Sequence, residues 1–339
     1  MPDDLIRLKD GELLPVKILR YPLSSADQAK VIELWLTEWE ETGFGWLPWM
    51  NGAHAKALVS ETALAWWLDT AIATATVCYP SKDPEIGVVM NVVTRKDFRG
   101  RGIANHLTDL VVNRAFHSGC TAAYLGNTPT RHSMYENCDF VRLAGAFMRR
   151  IKPGAADLES SLFSAGQKTS VRPADWGDIP GFAALVAHPL ETFLMDYPRG
   201  LVSSKYLAPE RGLTQFSSVW YGSRRAGGDM HVLTGATTHR ILGFGSFTPG
   251  LGTVKNFGAD VDFVCHNAYL HQAALLLHSL INAGKANNFL RELRLVTAVS
   301  DEWKRQCASD CGFGETIAVS EQLRFAKQEV ALVAQKMSL

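Results

Sequence analysis

Residues 92–104 read Val92-Val93-Thr94-Arg95-Lys96-Asp97-Phe98-Arg99-Gly100-Arg101-Gly102-Ile103-Ala104, and this stretch decides the fold. An apolar strand breaks here into a basic loop with two glycines, and a helix begins near Ile103. Gly100 and Gly102 let the backbone approach a ligand closely, and the first turn of the helix offers unpaired N–H groups. Arg99 and Arg101 add positive charge that suits a pyrophosphate better than a single carboxylate. The stretch therefore predicts a site for a nucleotide-type diphosphate.

The spacing of the glycines excludes two kinds of nucleotide site. A dinucleotide-binding turn needs G-x-G-x-x-G, but Asn105 stands where the third glycine belongs. A phosphate loop that ends in Gly-Lys-Ser or Gly-Lys-Thr is also missing, so ATP is not predicted as the ligand.

The next forty residues extend the pattern into a helix, a strand and a second helix. Apolar residues recur at helical spacing as far as Ala115, and Ser118-Gly119 supplies a stop signal. Residues 121–125 then predict a short strand. Thr128 can cap the second helix with Pro129 at its first position, and that helix carries Tyr135.

Two motifs in this order resemble those of the GNAT superfamily of N-acetyltransferases. Arg99-x-x-Gly102-x-Ala104 after a strand is similar to the acyl-CoA loop of that family. Met134-Tyr135-Glu136-Asn137-Cys138-Asp139-Phe140 is similar to its second signature, commonly Y-E-x-x-G-F. Asp139 departs from this signature, because the family usually has a left-handed glycine there, and Asp is one of the few other residues tolerated in that conformation. The resemblance in motif covers mainly residues 85–150.

The resemblance implies an α/β fold with a mostly antiparallel mixed sheet in each domain, flanked by helices and splayed at the coenzyme site. It implies acetyl-CoA as the acyl donor, with no metal. Main-chain groups of the splayed strand would hold the pantetheine and the thioester oxygen. Tyr135 would be catalytic and would protonate the departing sulfur, since a phenol and a thiol differ little in ordinary pKa. The implied coenzyme-binding residues are Val92, Val93, Thr94, Arg99, Gly100, Arg101, Gly102, Ile103, Ala104 and, opposite the strand, Asn127.

The chain is organised as two similar halves. A strand and a helix open each half, near residues 16–22 and 170–175, and the matching later segments end at Asp139-Phe140 and at Gly312-Phe313. We predict a tandem protein with three parts: a catalytic GNAT-like domain at 1–152, a linker at 153–168 and a degenerate GNAT-like domain at 169–339.

The second half lacks the residues of the predicted site. Matching Phe313 to Phe140 places Ala308 where Tyr135 stands, and residues 265–269 carry neither glycine nor arginine. We therefore expect no coenzyme binding in the second half, whose role is to pack against the first as a partner subunit would. A monomer or weak homodimer follows from this interpretation.

Composition indicates a soluble enzyme that acts on a small molecule. The 34 Lys and Arg residues balance 34 Asp and Glu residues, so neither a nucleic-acid nor a membrane partner is predicted. No apolar run approaches the length of a membrane span, and the acidic start does not fit a signal peptide, which predicts a cytoplasmic protein. Six dispersed cysteines predict free thiols. The helix that carries His266, His271 and His278 lacks further ligands at metal-binding spacing.

Residues 35–54 concentrate tryptophans and carboxylates, and two interpretations of them stay open. In the family this region usually lines the acceptor pocket, where aromatic faces and carboxylates would suit a cationic amine. Alternatively, the tryptophans fill the core. The residues concerned are Trp39, Phe44, Trp46, Trp49, Glu38, Glu40 and Glu41. The general base is also open among Glu85, a water chain and these three carboxylates.

The predicted function is acyl-CoA-dependent transfer to the primary amine of a small molecule, by direct attack in a ternary complex. Two alternatives use the same donor site. One is a non-catalytic acyl-CoA sensor in which residues 39–49 close over the coenzyme. The other is an O-acetyltransferase.

Overall fold

The computed structural model describes residues 4–8, 11–38, 46–126, 132–143, 145–155, 158–164, 166–190, 220, 223–235, 240–250, 257–325 and 328–339. The chain divides into two compact units. The first comprises Met1–Arg142 and Phe147–Leu158, and the second comprises Leu143–Ala146 and Glu159–Leu339.

The first unit contains an eight-stranded sheet with the order β1-β2-β3-β4-β5-β6-β8-β7. Its strands β1 to β8 are Asp4–Arg7, Leu13–Arg20, Leu58–Trp67, Thr70–Pro80, Ile86–Thr94, Ala122–Gly126, Val141–Arg142 and Phe147–Ile151. Its helices α1 to α4 are Ser25–Glu38, Trp46–Met50, Ile103–His117 and His132–Glu136. A further helix, α5 at Leu158–Leu162, lies where the chain passes into the second unit. The helix predicted to begin near Ile103 and the strand predicted near 121–125 are both present as α3 and β6.

Helices α1 and α3 pack on opposite faces of this sheet. Ala73 and Ala75 of β4 belong to the apolar cluster that contains Ile103 of α3. Thr74 lies between them and accepts a hydrogen bond from the indole N–H of Trp35 on α1. Because successive side chains of a strand point to opposite faces, the two helices lie on opposite sides of β4.

A buried histidine packs beneath α2. His54 is 1% exposed, stacks on Trp49 with ring centroids 4.3 Å apart, and meets the ring of Tyr21 edge-on at 5.8 Å. Burial lowers the pKa of the imidazole from 6.5 to about 4, because the charged form is poorly solvated there. Trp49 is 2% exposed, so for this residue the structure favours the core interpretation over a pocket lining.

We expect the first unit to lose stability as the pH falls from about 6.5 to about 4. The pKa of His54 is 6.5 in the unfolded chain and about 4 when folded, so within this window protons bind preferentially to the unfolded state. The loss over the full window is about 3 kcal/mol, at about 1.4 kcal/mol per unit. Urea unfolding at several pH values should show a shallower dependence in His54→Phe, which keeps a ring against Trp49. Equal pH dependence in variant and wild type would contradict this.

The second unit contains a seven-stranded sheet with the order β14-β15-β13-β12-β11-β10-β9. Its strands β9 to β15 are Thr169–Pro173, Asp229–Gly235, Ile241–Pro249, Gly258–Cys265, Glu292–Ala298, Ile317–Phe325 and Gln328–Ser338. Its helices α6 to α8 are Ile179–Ala187, Ala273–Ala286 and Glu302–Asp310. Short 3-10 helices at Trp176–Asp178 and Asn267–Gln272 precede α6 and α7, as one at Lys96–Phe98 precedes α3.

The two sheets repeat one topology. The order β2-β3-β4-β5-β6-β8-β7 in the first unit corresponds to β9-β10-β11-β12-β13-β15-β14 in the second. Each sheet has one parallel pair among its described strands, β5 with β6 in the first unit and β12 with β13 in the second. These pairs occupy equivalent places in the two strand orders, and in each a helix connects the two strands. The structure therefore consists of two tandem mixed α/β domains.

Candidate functional site

Strands β5 and β6 separate before β5 ends. They pair in parallel from Ile86 to Val88, opposite residues 122–124, whereas β5 continues to Thr94. The N–H of Arg95 donates to the carbonyl of Ile72, on β4, at 2.8 Å. Main-chain hydrogen bonding to an antiparallel neighbour alternates from residue to residue along a strand. The main-chain N–H and C=O groups of Val93 therefore also face β4, whereas those of Val92 face away from it. The splay thus leaves main-chain groups of Val92 on the side that β6 has left.

The loop after β5 has the backbone that the sequence predicted. Gly100 and Gly102 have φ values of +80° and +86°, a region that side chains other than Gly rarely adopt. Gly102 is the N-cap of α3 and supplies no side-chain cap. Within the part of the chain that the structure describes, the N–H groups of Gly102, Ile103 and Ala104 make no hydrogen bond. These donors at a helix N-terminus fit an anionic ligand such as a diphosphate.

Both arginines of the loop are held by glutamates that the sequence did not indicate as partners. Arg99 donates from Nη2 to Oε2 of Glu38 at 2.5 Å and from Nε to the carbonyl of Thr94 at 3.0 Å. The other carboxylate oxygen of Glu38 accepts from the N–H of Lys96 at 3.1 Å. Arg101 forms an ion pair with Glu12. The positive charges of Arg99 and Arg101 are therefore compensated by carboxylates of the same unit.

Tyr135 lies on α4, which α3 holds in place. The side-chain amide of Asn105, in the first turn of α3, donates to the carbonyl of Met134 at 3.0 Å. Tyr135 is 6% exposed and contacts Phe140 edge-on, with centroids 6.1 Å apart. Asp139 has φ of +58°, so the left-handed conformation predicted for this departure from the motif is confirmed. The loop and the tyrosine are thus fixed to one helix.

Two of the candidate general bases, Glu85 and Glu38, have described side chains. Glu85 precedes β5 and lies roughly 23 Å along the strand from Val92, at about 3.3 Å per residue, which is too far for proton transfer. Glu38 is engaged by Arg99 and Lys96. The remaining predicted residues lie outside the described residues or have no described side chain: Trp39, Glu40, Glu41, Phe44, Trp46, Asn127, Thr128 and Pro129.

The second unit has an alanine at the position that corresponds to the tyrosine. The carbonyl of Tyr135 accepts from the N–H of Cys138 at 2.9 Å and of Phe140 at 3.1 Å. The carbonyl of Ala308 accepts in the same way from residues 311 and 313, at 3.0 and 3.1 Å. The shared pattern supports the alignment of Phe313 with Phe140, so the hydroxyl is absent from this position of the second unit.

The splay of the second unit is occupied by its own side chains. Strand β12 pairs with β13 as far as Val261, and Asp262 is the next residue. Its carboxylate accepts from the N–H of Phe263 at 2.7 Å and forms an ion pair with Lys304, which is 0% exposed. The N–H of Arg95 donates to β4, and the N–H of His266 donates to β11, which is the equivalent strand of the second unit. Arg95 and His266 are therefore equivalent, and Phe263 lies three residues before His266 as Val92 lies three residues before Arg95. The main-chain donor that would meet a ligand is therefore bonded to protein here.

The described residues contain neither a candidate membrane span nor a cluster of metal ligands. None of their helices is both long enough and apolar enough to span a membrane. They contain no group of three or more His, Cys, Asp or Glu side chains arranged to hold a metal ion. The six cysteines are free thiols, and His266 stacks on Phe163 with centroids 4.0 Å apart.

The comparisons with known proteins concern the unit that contains the splayed sheet, the glycine loop and the N-terminus of α3. Residues 22–140 match the model of the acetyltransferase (GNAT) family, so the chain contains a GNAT acetyltransferase domain. A comparison with curated proteins finds no match.

Solved structures with a similar fold have low sequence identity. A GNAT-family acetyltransferase from Streptococcus pneumoniae is 16% identical with a TM-score of 0.40, over 51% of this chain and 100% of that one. An N-acetyltransferase from Staphylococcus aureus is 14% identical with a TM-score of 0.39, over 50% and 98%. A spermidine N-acetyltransferase from Vibrio cholerae, in complex with CoA and spermine, is 13% identical with a TM-score of 0.38, over 50% and 95%.

Proposed function

We propose that the first unit transfers an acyl group, most simply acetyl, from coenzyme A to the primary amine of a small molecule. The observation that carries this proposal is that a splayed strand with the main chain of Val92 leads into a glycine loop and a helix whose first N–H groups, at Gly102, Ile103 and Ala104, make no hydrogen bond among the described residues. It offers donors to an extended ligand with a diphosphate at one end and a thioester at the other. The second unit, with Asp262 and Lys304 in its splay, binds no coenzyme in this proposal.

The proposed reaction is a direct displacement in a ternary complex. The amine nitrogen attacks the thioester carbonyl carbon, a C–N bond forms and the C–S bond breaks. The main chain of Val92 stabilises the developing charge on the carbonyl oxygen. The hydroxyl of Tyr135 gives its proton to the departing thiolate and regains one from solvent, and the amide nitrogen loses its proton to water. We assign no side chain as the general base.

The partners and location follow from the same proposal. The neutral net charge fits a small-molecule amine better than a nucleic acid or a basic protein tail. We place the protein in the cytoplasm, as a monomer or weak homodimer.

The test of this function combines two measurements on the full chain. Isothermal titration with acetyl-CoA should give one site per chain. Incubation with acetyl-CoA and an amine library should release free CoA and add an acetyl mass to an amine, in a product that resists hydroxylamine. Binding of acetyl-CoA without release of free CoA in the presence of any amine would indicate a sensor. A hydroxylamine-labile product would indicate transfer to oxygen.

The ion pair between Glu38 and Arg99 gives a prediction about affinity. Since the coenzyme has to displace Glu38 from Arg99, Glu38→Gln should bind acetyl-CoA about two- to fivefold more tightly, because an exposed pair of this kind is worth at most about 1 kcal/mol. Glu33→Gln is the matched control, since Glu33 is on the same helix and pairs with Arg95 at 2.9 Å. Titration should show unchanged affinity for the control. Weaker binding by Glu38→Gln would show that Glu38 supports the loop instead.

A further inference from the structure

A bulge interrupts β5 at Asn91 and Val92, and the main chain of Val92 faces the splay. Thr74 of β4 pairs with Val93 and Thr76 pairs with Met90, so Asn91 and Val92 together face Ala75. Asn91 has φ of +54°, a left-handed conformation that Asn adopts more readily than most residues. Bulges of this kind re-aim groups next to functional sites.

The carbonyl of Asn91 is fixed from the α1 side of the sheet. The hydroxyl of Thr74 donates to the carbonyl of Asn91 at 2.9 Å and accepts from the indole N–H of Trp35 at 3.0 Å. Thr74 is 0% exposed and Trp35 is 5% exposed. The bulge is therefore held by a buried chain of hydrogen bonds and keeps its shape without a ligand.

The side-chain amide of Asn91 takes no part in this chain of hydrogen bonds. The residue is 9% exposed, and its Nδ2 atom is buried without a hydrogen bond in the part of the chain that the structure describes. Leaving a buried donor unsatisfied costs more than an ordinary hydrogen bond contributes, so such groups are rare in native proteins. A ligand that supplies an acceptor atom would remove this cost.

The position of the bulge indicates which substrate supplies the acceptor atom. The diphosphate donors are at the N-terminus of α3, on the face opposite α1. The Asn91 carbonyl is bonded to Thr74 on the α1 face. Asn91 directly precedes Val92, so a second substrate that reaches a thioester held at Val92 comes within reach of the Asn91 side chain.

We propose that the side-chain amide of Asn91 donates a hydrogen bond to an oxygen of the acceptor. The acceptor is then a primary amine that carries a carbonyl, carboxylate or hydroxyl oxygen within a few bonds of its nitrogen, such as an amino amide, amino acid or amino alcohol. A plain alkylamine lacks that oxygen. This inference rests on the function proposed above, because it names the class of its acceptor.

The test uses matched acceptors and two variants of the full chain. Leucinamide is compared with 3-methylbutylamine, and 2-aminoethanol with propylamine, with acetyl-CoA as donor. Asn91→Gly keeps the left-handed backbone and removes the amide, and Asn91→Asp keeps the shape and removes the N–H donors. Asp83→Gly is the control for backbone effects, because Asp83 is also left-handed, with φ of +48°, in the exposed turn before β5.

Both Asn91 variants should lower kcat/KM about 10- to 100-fold for the oxygen-bearing amines, mainly through KM, and change the alkylamines less than twofold. Comparing each variant with wild type cancels the differing nucleophilicity of the amines. The acetyl-CoA affinity and the melting temperature of Asn91→Gly should match those of Asp83→Gly.

Three results would overturn this inference alone. An equal loss of kcat/KM for both amines of each pair would show that the Asn91 amide acts on the thioester or stabilises the fold, and does not bind the acceptor. Unchanged kcat/KM for all amines would show that the amide meets no substrate. Failure of a chain that binds acetyl-CoA to acetylate any oxygen-bearing amine would exclude the proposed class. A wild-type chain that does not bind acetyl-CoA would contradict the proposed function itself, together with this inference.

Discussion

Replacing Gly102 with valine is expected to weaken acetyl-CoA binding more than 100-fold. The residue has φ of +86°, and a β-branched side chain strongly disfavours this conformation, so the N-cap of α3 has to change. Its own N–H and those of Ile103 and Ala104 then no longer converge on a phosphate. Hydrogen bonds to a charged group contribute about 1.5–3 kcal/mol each, so the loss of two of them accounts for the expected effect. Isothermal titration of the purified variant measures it.

Gly154→Val is the matched control for this substitution. Gly154 has φ of +78°, with nothing within 4 Å of the position that a side chain would take, and it lies in the turn after β8 of the same unit. Both variants suffer comparable backbone strain, which unfolding curves should show, but Gly154→Val should bind acetyl-CoA as wild type does. If both variants lose affinity equally, the effect comes from strain and not from the helix N-terminus.

Replacing Tyr135 with phenylalanine is expected to lower kcat about 100- to 1,000-fold and to leave acetyl-CoA affinity within twofold. A positioned general acid contributes about 10²- to 10⁴-fold, and the phenylalanine ring keeps the packing against Phe140. Steady-state release of CoA measures the rate, and titration measures the affinity.

Tyr79→Phe serves as the control for this second prediction. Tyr79 lies on β4 and its hydroxyl bonds Ser118 at 3.0 Å, after the end of α3 and away from the loop. It should turn over at the wild-type rate. A Tyr135→Phe variant with normal kcat would show that the departing thiolate takes its proton from another donor.

The sequence predicts the elements that depend on neighbouring residues. Gly100 and Gly102 adopt the left-handed conformations, α3 begins at Ile103, and Asp139 is left-handed where the motif has a glycine. Each of these depends on local backbone geometry, so a short stretch of sequence carries enough information.

Contacts between distant residues were not predicted. Glu38 and Glu12 reach Arg99 and Arg101 across 61 and 89 residues, and nothing near the arginines indicates those partners. The bulge had one signal in the sequence, since Asn91 is a polar residue between apolar neighbours in β5, and Asn is disfavoured in strands. The positions of Trp49 and His54 in the core could not be separated from a pocket lining, because both arrangements use the same aromatic residues.

The most direct test of the central claim is amide hydrogen exchange on the full chain, with and without acetyl-CoA. Acetyl-CoA is expected to protect the amides of residues 92–94 and 99–105 and to leave the exchange of residues 262–273 of the second unit unchanged. Protection of residues 262–273 instead, or no protection of the loop after β5 at saturating acetyl-CoA, would contradict that claim.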